Sequence, residues 1–329
     1  MRLIRRHLPA VLGLLISVSA LFWLAQEFNI DELTDALQRV DLFMLAPVPI
    51  LILMSFAMRA QRWRLLVDHQ PQVRFWTSFC ALMIGQLLNN ILPVRAGDAA
   101  RALELGRSEK MSRTKVFATL VTERTVDLVT TLTLLGAVLL SYPGLPDWIK
   151  KAAIMIALLS ITAMSMLVLA NTTGRRWIPR LVAMLSQWLP CRLQAKLDQM
   201  VMSALEGIAG MFRPSHAISI LLLTGFIWTA EVLMAHIVAT SVGLPLALGN
   251  ALLVLLVLAM GSMVPSSPGQ VGVYEFVGLS ALALVTIQGP LALAFIVILH
   301  LLTLIGSTMI GVVCLLVRER APLLLKDIP

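Results

Sequence analysis

The stretch Val264-Pro265-Ser266-Ser267-Pro268-Gly269 lies at the edge of a long apolar segment, and Leu92-Pro93-Val94-Arg95-Ala96-Gly97 repeats its spacing about half a chain earlier. Each reads apolar residue, proline, three residues, glycine. Proline removes a backbone donor and clashes with the preceding helical turn, whereas glycine adopts backbone angles that other residues avoid. We name residues 92–97 the first break and residues 264–269 the second break. Two such breaks in apolar segments are the pattern expected of a transporter built from two inverted halves.

The composition predicts an all-α polytopic membrane protein. The chain is 58% hydrophobic and 13% charged, with a mean hydropathy of +0.87, whereas soluble domains carry roughly 25% charged residues. A run of ~20 apolar residues crosses a bilayer core, and several such runs cover most of the chain. We therefore expect one integral-membrane domain over 1–329, a helical bundle with two broken or re-entrant hairpins and possible inverted halves at about 1–150 and 151–329.

The net charge is +8, and we assign the excess basic residues to loops, where they set the topology and meet anionic headgroups. No nucleic-acid partner is therefore expected. Cys80, Cys191 and Cys314 are far apart, and the five histidines lack ligand spacing, so neither a metal site nor a cofactor is expected. A phosphate-binding G-x-x-x-x-G-K-[ST] motif does not occur, so any energy for transport would come from a gradient or a partner.

Loop charges orient the chain. Arginines before the first apolar segment place the N-terminus in the cytoplasm, and basic residues after the last place the C-terminus there too. The segment 75–92 is basic on both flanks, which predicts a hairpin that enters from the cytoplasm and breaks at the first break. The segments 248–264 and 272–287 form the opposite hairpin around the second break. Predicted spans are 8–25, 42–58, 75–92, 116–140, 151–170, 216–240, 248–264, 272–287 and 291–317, and Arg59, Arg62 and Arg64 fall in the cytoplasmic loop after 42–58.

Charges inside apolar segments are expensive, so they should face a partner or a wet cavity. Glu123 and Asp127 share a helix face with Arg124 beside them. One interpretation is a structural ion network that joins Arg124 to nearby acids. The other is a headgroup site, in which arginines bind phosphate and the acids orient them. The two can both hold.

The residues beside the breaks extend the candidate site. Arg95 is a cation inside the first break, and Asp98 and Arg101 follow it on a predicted helix. Gly269 and Gly272 leave backbone N–H groups accessible at a helix N-terminus, which is a ready anion site.

Three further ionisable residues lie in apolar segments. Glu275 follows the second break and could accept a proton, pair with an amine, or cap nearby backbone donors. Glu231 is a lone acid and a candidate proton carrier or counter-charge. His300 is interpreted as a packing histidine with its hydrogen bonds satisfied.

Three blocks of this sequence resemble those of the lysylphosphatidylglycerol synthase transmembrane family, also called the flippase-like domain family. They are Asn89-Asn90-Ile91-Leu92-Pro93-Val94-Arg95-Ala96-Gly97-Asp98, Glu123-Arg124-x-x-Asp127, and Pro265-Ser266-Ser267-Pro268-Gly269-Gln270-Val271-Gly272-x-x-Glu275. Gln270 stands where the family more often has glycine. The resemblance implies transbilayer handling of lipids in a bacterial inner membrane. It does not imply lipid aminoacylation, because the soluble transferase half of the family's resistance factor has no counterpart in this sequence.

The leading hypothesis is a lipid translocator of flippase or scramblase type, without enzymatic activity. A polar cavity between the hairpins would hold a phospholipid or glycolipid headgroup. Arg95, Arg101 and Arg124 would bind phosphate, and Asp98, Glu123 and Asp127 would orient them. The alternatives are a non-transporting subunit that organises a lipid-modifying or glycan-assembly complex with envelope-biosynthesis enzymes, and a membrane-embedded transferase. The lipid, the direction and the oligomeric state do not follow from the sequence.

Overall fold

The structure is a computed structural model that describes residues 16–24, 26, 30–67, 73–92, 97–109, 111–141, 147–172, 174–186, 193–194, 197–202, 214–262 and 266–324. Its helices are α1 (Ile30–Gln38), α2 (Val48–Val67), α3 (Phe75–Ile91), α4 (Gly97–Ser108), α5 (Arg113–Ser141), α6 (Asp147–Thr172), α7 (Gly174–Ser186), α8 (Pro214–Ser241), α9 (Leu248–Gly261), α10 (Val273–Ala283) and α11 (Pro290–Leu324). Residues 16–24 are also helical. No β-strand occurs in the described ranges, so the predicted all-α class is confirmed.

Three helices of the described chain are long and apolar enough to cross a membrane: Thr114–Ser141, His216–Ser241 and Pro290–Arg318. They match the spans predicted at 116–140, 216–240 and 291–317. The exposed surfaces of these helices are rich in large apolar side chains, as a lipid-facing surface requires. The chain is therefore a membrane protein.

The helices on either side of the second break are short. α9 has 14 residues and α10 has 11, which gives lengths of roughly 21 and 16 Å, against a hydrocarbon core of about 30 Å. α9 packs against α10, and α10 packs against α11. Neither α9 nor α10 alone is long enough to cross. The re-entrant path of both hairpins stays a prediction.

One predicted boundary is wrong in a way that matters for the site. The span expected at 42–58 begins at Val48 and continues to Val67. The helix therefore includes Arg62, which the sequence interpretation placed in a cytoplasmic loop. Its side chain is 1% exposed, and the partners that make this possible are described below.

The chain divides into two compact units. The first comprises Met1–Ala57, Leu82–Ala100 and Phe226–Pro329, and the second comprises Met58–Ala81 and Arg101–Gly225. In the first unit α1 packs on α11, and buried residues of α8, α9, α10 and α11 share one apolar core. In the second unit α5 packs on α6, and α6 on α7. The inverted halves remain a prediction.

Candidate functional site

The second unit contains a buried cluster of four charged side chains, which we name the arginine–carboxylate cluster: Arg62, Arg101, Glu123 and Asp127. Arg62 Nη2 lies 2.5 Å from Asp127 Oδ1 and 3.8 Å from Glu123 Oε1. Arg101 Nη2 donates to Glu123 Oε2 at 2.8 Å. The residues come from α2, α4 and α5. One short cluster thus connects three helices of this unit.

Neighbouring side chains fix the two guanidinium groups. Arg62 Nη1 donates to Thr224 Oγ1 on α8 at 3.2 Å. The Arg101 guanidinium carbon lies 4.9 Å from the ring centre of Trp63, close enough for a cation–π contact. The Trp63 indole nitrogen in turn donates to Thr119 Oγ1 at 3.3 Å. These contacts leave the arginines little rotational freedom.

The formal charges of the cluster cancel, because two guanidinium groups face two carboxylates. Glu123 and Arg101 are 3% and 4% exposed, and buried charges of this kind persist only when paired and hydrogen-bonded. The arrangement favours a structural ion network for these four residues. Glu123 pairs with Arg101 and Asp127 pairs with Arg62. Arg124 is exposed on the same helix. A headgroup-binding role for Arg101, Glu123, Arg124 and Asp127 stays a prediction.

In the first unit, the chain after the second break forms an irregular turn over residues 268–272. Gly269, Gln270 and Gly272 have φ values of 66°, 60° and 87°. This left-handed region suits glycine and strains other residues. Gln270 adopts it at the position where the resembling family more often has glycine. Pro265 lies outside the described residues, so the turn is described from Ser266 onward.

A buried acid and an imidazole close this turn, and we name Glu275 and His300 the acid–imidazole pair. Glu275 Oε1 lies 2.6 Å from His300 Nδ1, and Glu275 Oε2 accepts the Gly272 N–H at 2.7 Å. His300 Nε2 donates to the Gly269 carbonyl oxygen at 2.8 Å. The pair therefore forms hydrogen bonds with both ends of the turn, at Gly269 and at Gly272. Glu275 therefore caps a backbone donor, which is one of the three roles that the sequence left open for it. Both ring nitrogens of His300 have hydrogen-bond partners.

Further polar groups lie near the pair. The Tyr274 ring stacks on the His300 ring, with 4.2 Å between their centres. Glu231 on α8 accepts a hydrogen bond from Ser55 Oγ on α2 at 3.1 Å, and it lies close enough to Tyr274 to act on that side chain electrostatically.

The chain on either side of the first break folds back on itself. Asn89 Oδ1 accepts the Gly97 N–H at 2.9 Å, and Asn89 Nδ2 donates to Asp98 Oδ1 at 3.3 Å. A Cβ on Gly97 would overlap the Gly85 carbonyl oxygen, so α4 begins directly against α3. Asp98 is half-buried at the N-terminus of α4, where an anion is favoured. Arg95 lies outside the described residues.

One face of α11 contacts both the end of α3, just before the first break, and the last residue of the second break. His300 bonds the Gly269 carbonyl, and Asn90 Nδ2 donates to Ser307 Oγ at 3.0 Å and Thr308 Oγ1 at 2.9 Å. A Cβ on Gly269 would lie 3.5 Å from Leu304 and 3.8 Å from the Asn90 carbonyl oxygen. Residues 300, 304, 307 and 308 recur at helical spacing, so Asn90, at the end of α3, and Gly269, at the end of the second break, meet along a single stripe of α11.

Sequence reasoning missed Arg62 and the partner of His300. Arg62 sits 65 residues from Asp127 and 162 from Thr224, so no local pattern identifies its partners. An arginine three residues after Arg59 in an apolar helix could have been tested as an intramembrane charge rather than as a loop cation. Within the described ranges, no group of three or more His, Cys, Asp and Glu could hold a metal ion.

Comparison with known proteins identifies the class. Residues 10–311 match the family described as the lysylphosphatidylglycerol synthase TM region. The chain belongs to this family, which confirms the resemblance carried by the three sequence blocks. No solved structure matches the chain significantly.

Three individual proteins are similar to this chain at low sequence identity. Glycosyltransferase AglD of Haloferax volcanii is 26% identical over 92% of this chain, which spans 54% of that protein's length. A UPF0104 membrane protein of Methanothermobacter thermautotrophicus is 24% identical, covering 82% of this chain and 83% of that one. The UPF0104 membrane protein PH1989 of Pyrococcus horikoshii is 22% identical, covering 96% and 98%. The chain thus spans about half the length of the first relative and nearly the full length of the others.

Proposed function

We propose that this protein moves a phospholipid or glycolipid headgroup across the bilayer, as a flippase or scramblase, in a bacterial inner membrane with both termini in the cytoplasm. Family membership supports a role in lipid or glycan processes. The observation that carries the finer proposal is the junction of Asn90, at the end of α3, with Gly269 of the second break on one face of α11. The proposal assigns no catalytic reaction to the chain.

The depth of this junction supports the proposal. Leu304 is the central residue of the candidate span Pro290–Arg318, and His300 and Thr308 lie one turn on either side of it. With α11 crossing the membrane, irregular backbone at 268–272 and the end of α3 lie near the bilayer midplane. Irregular backbone at this depth is tolerated where protein covers it or where it lines a water-filled cavity. Transporters place their substrate sites at such midplane breaks.

The residues divide by role in this proposal. Asp98 beside the first break and Arg95 inside it meet the headgroup. Gly269 and Gly272 are buried and the Gly272 N–H donates to Glu275, so the headgroup would reach these two glycines only once the 268–272 turn opens. Arg101, Glu123 and Asp127 act with Arg62 to hold α2, α4 and α5 together. Arg124, exposed on α5, remains a candidate phosphate contact. Glu231 and Glu275 supply the counter-charge to a headgroup amine or carry a proton.

The test is reconstitution of the pure protein in liposomes that contain a headgroup-labelled phospholipid. A membrane-impermeant quencher added outside reports how much labelled lipid reaches the outer leaflet. We expect more quenching than in protein-free vesicles, and the same increase with the variant Ser280→Ala, because Ser280 is exposed and bonds only its own helix. The absence of any increase with folded protein over several lipid classes would remove the translocator proposal.

A second candidate is a non-transporting membrane subunit for a lipid-modifying or glycan-assembly enzyme. The similarity to about half of a protein named a glycosyltransferase favours it. It predicts no translocation by the pure chain. It also predicts that deleting the chain lowers the activity of a partner envelope-biosynthesis transferase in isolated membranes, and that adding back the pure protein restores it.

A further inference from the structure

The hydrogen bonds of the acid–imidazole pair determine how many protons it holds. The Gly269 carbonyl can only accept, so His300 Nε2 carries a hydrogen. The 2.6 Å contact between His300 Nδ1 and Glu275 Oε1 needs one hydrogen as well. That hydrogen belongs either to an imidazolium facing a carboxylate or to a carboxylic acid facing a neutral imidazole. Both descriptions contain one exchangeable proton, and both give the pair zero net charge.

The elements around the pair carry few other ionisable groups, and the acids of α1, which packs on α11, are the exposed residues Asp31, Glu32 and Asp35. Among the described residues of the first unit, α9 carries no ionisable side chain, and neither do residues 16–24 or 48–57. In α11, the ionisable groups that follow His300 are Cys314 and Arg318. The titratable groups that face the pair are Tyr274, stacked on the imidazole, and Glu231, which acts on Tyr274 from α8.

We propose that Glu275 and His300 form a proton-binding site, and that the 268–272 turn is released when the pair holds either no proton or two. This inference deepens the proposed function by naming the ion that controls the second break. Only the transport measurement described below depends on the proposed function. The proton site itself stands on the geometry of the pair and the turn.

Loss of the shared proton and addition of a second proton each break a different contact. Without the proton, a carboxylate oxygen and the Nδ1 lone pair face each other as two acceptors, which repel. With a second proton, the added hydrogen lies either against Nδ1–H or on Oε2, where it competes with the Gly272 N–H. The pair then also carries a positive charge among apolar helices, which is costly. Either change loosens the carboxylate cap at Gly272 or the imidazole bond to Gly269.

Hydrogen–deuterium exchange on the full chain in liposomes tests this directly. Exchange of peptides covering 266–276 is followed over roughly pH 4 to 9, a range that covers the ordinary values of carboxyl and imidazole groups. After correction for intrinsic exchange, protection should peak at one pH and fall on both sides, by on the order of tenfold for a lost charge-assisted hydrogen bond. Peptides from the buried residues 251–258 serve as the internal reference.

The variant Glu275→Gln distinguishes a proton site from a rigid clamp. Its amide oxygen can still accept the Gly272 N–H, and its NH2 can donate to a neutral His300, but it has no proton to release. Protection should therefore lose its alkaline decline and keep its acid decline. His236→Gln is the matched control, since His236 bonds the Leu246 carbonyl at 2.8 Å and contributes nothing to the pair.

The outcomes are separable. A wild-type profile without pH dependence overturns the proposal, and so does a Glu275→Gln profile that superimposes on the wild type. The wild-type profile decides alone if Glu275→Gln does not fold. A headgroup-labelled phospholipid in the same vesicles reports transport. No translocation at any pH, together with a two-sided exchange profile, would remove the proposed function and keep the proton site. Translocation together with pH-independent exchange would keep the proposed function and remove the proton site.

Discussion

At the scale of single residues, Arg62 shows how a buried charge is stabilised in this protein. Its side chain is 1% exposed, yet it contacts Asp127, Glu123 and Thr224. The apolar residues Leu66, Val126 and Ile220 pack together from the same three helices, α2, α5 and α8. Loss of one partner in such a cluster leaves an uncompensated charge, which is where most of the cost of disruption lies.

We predict that Arg62→Gln lowers the free energy of unfolding by about 3–5 kcal/mol, the usual cost of breaking a buried ion pair from one side. The double variant Arg62→Gln with Asp127→Asn restores charge balance. Its cost should therefore be smaller than the sum of the two single costs, by about 1 kcal/mol or more. Thermal unfolding in detergent micelles, followed by circular dichroism, measures all three variants. Additive costs would contradict a coupled cluster.

Arg124→Gln is the matched comparison, because Arg124 is exposed on the same helix as Glu123. Its effect on the free energy of unfolding should stay within about 0.5 kcal/mol, as for other exposed positions. Retained folding with loss of translocation would support the phosphate-binding role predicted from the sequence. A large loss of stability would instead place Arg124 in the structural network.

At the scale of helices, the close approach of α3 and α4 at Gly97 positions the chain around the first break. A Cβ there would overlap the Gly85 carbonyl oxygen and lie 2.7 Å from Asn89 Oδ1. The overlap involves backbone, which cannot move aside as a flexible side chain can. The same glycine donates its N–H to Asn89, so the contact and the hydrogen bond depend on one another.

We predict that Gly97→Ala destabilises the protein by about 1–3 kcal/mol, the typical cost of overpacking. Gly225→Ala is the control, because no atom lies within 4 Å of a Cβ at Gly225 in the middle of α8. There alanine should be neutral or stabilise the protein by about 0.5–1 kcal/mol, since glycine is the poorer helix former. Thermal unfolding of the two variants side by side checks the difference, and equal midpoints would contradict the close packing of α3 and α4.

Helix positions were largely predictable from the sequence, and side-chain partnerships were not. α3, α5, α8 and α11 lie within a few residues of the predicted spans, except at the C-terminus of α11, because long apolar runs form helices wherever backbone groups must be satisfied internally. α2 was misplaced because its arginines ended the apolar pattern. The burial of Arg62 depends on Asp127 and Glu123, three helices further along the chain. Likewise, the partner of His300 lies on α10 across a turn whose geometry no periodicity reveals.

At the scale of the whole molecule, the path of the chain through the membrane is the main prediction open to test. Both flanks of α3 are basic, so residues 70 and 110 should lie on the same side of the bilayer. Gln70→Cys and Lys110→Cys, each in a chain without Cys80, Cys191 and Cys314, should react with an impermeant thiol reagent from the same face of oriented vesicles. Labelling from opposite faces would show that α3 crosses fully and that the first hairpin is wrong.

The stripe on α11 has a consequence for how the molecule can move. His300 and Ser307 are seven residues apart, which is roughly 10 Å along a helix axis. Because both side chains belong to one rigid helix, the attachment points of the two breaks keep this separation while α11 remains intact. A rotation of α11 about its axis would carry both attachment points sideways together, so that motion could not disengage one attachment without disturbing the other. Opening of one break independently of the other must come from its own hydrogen bonds.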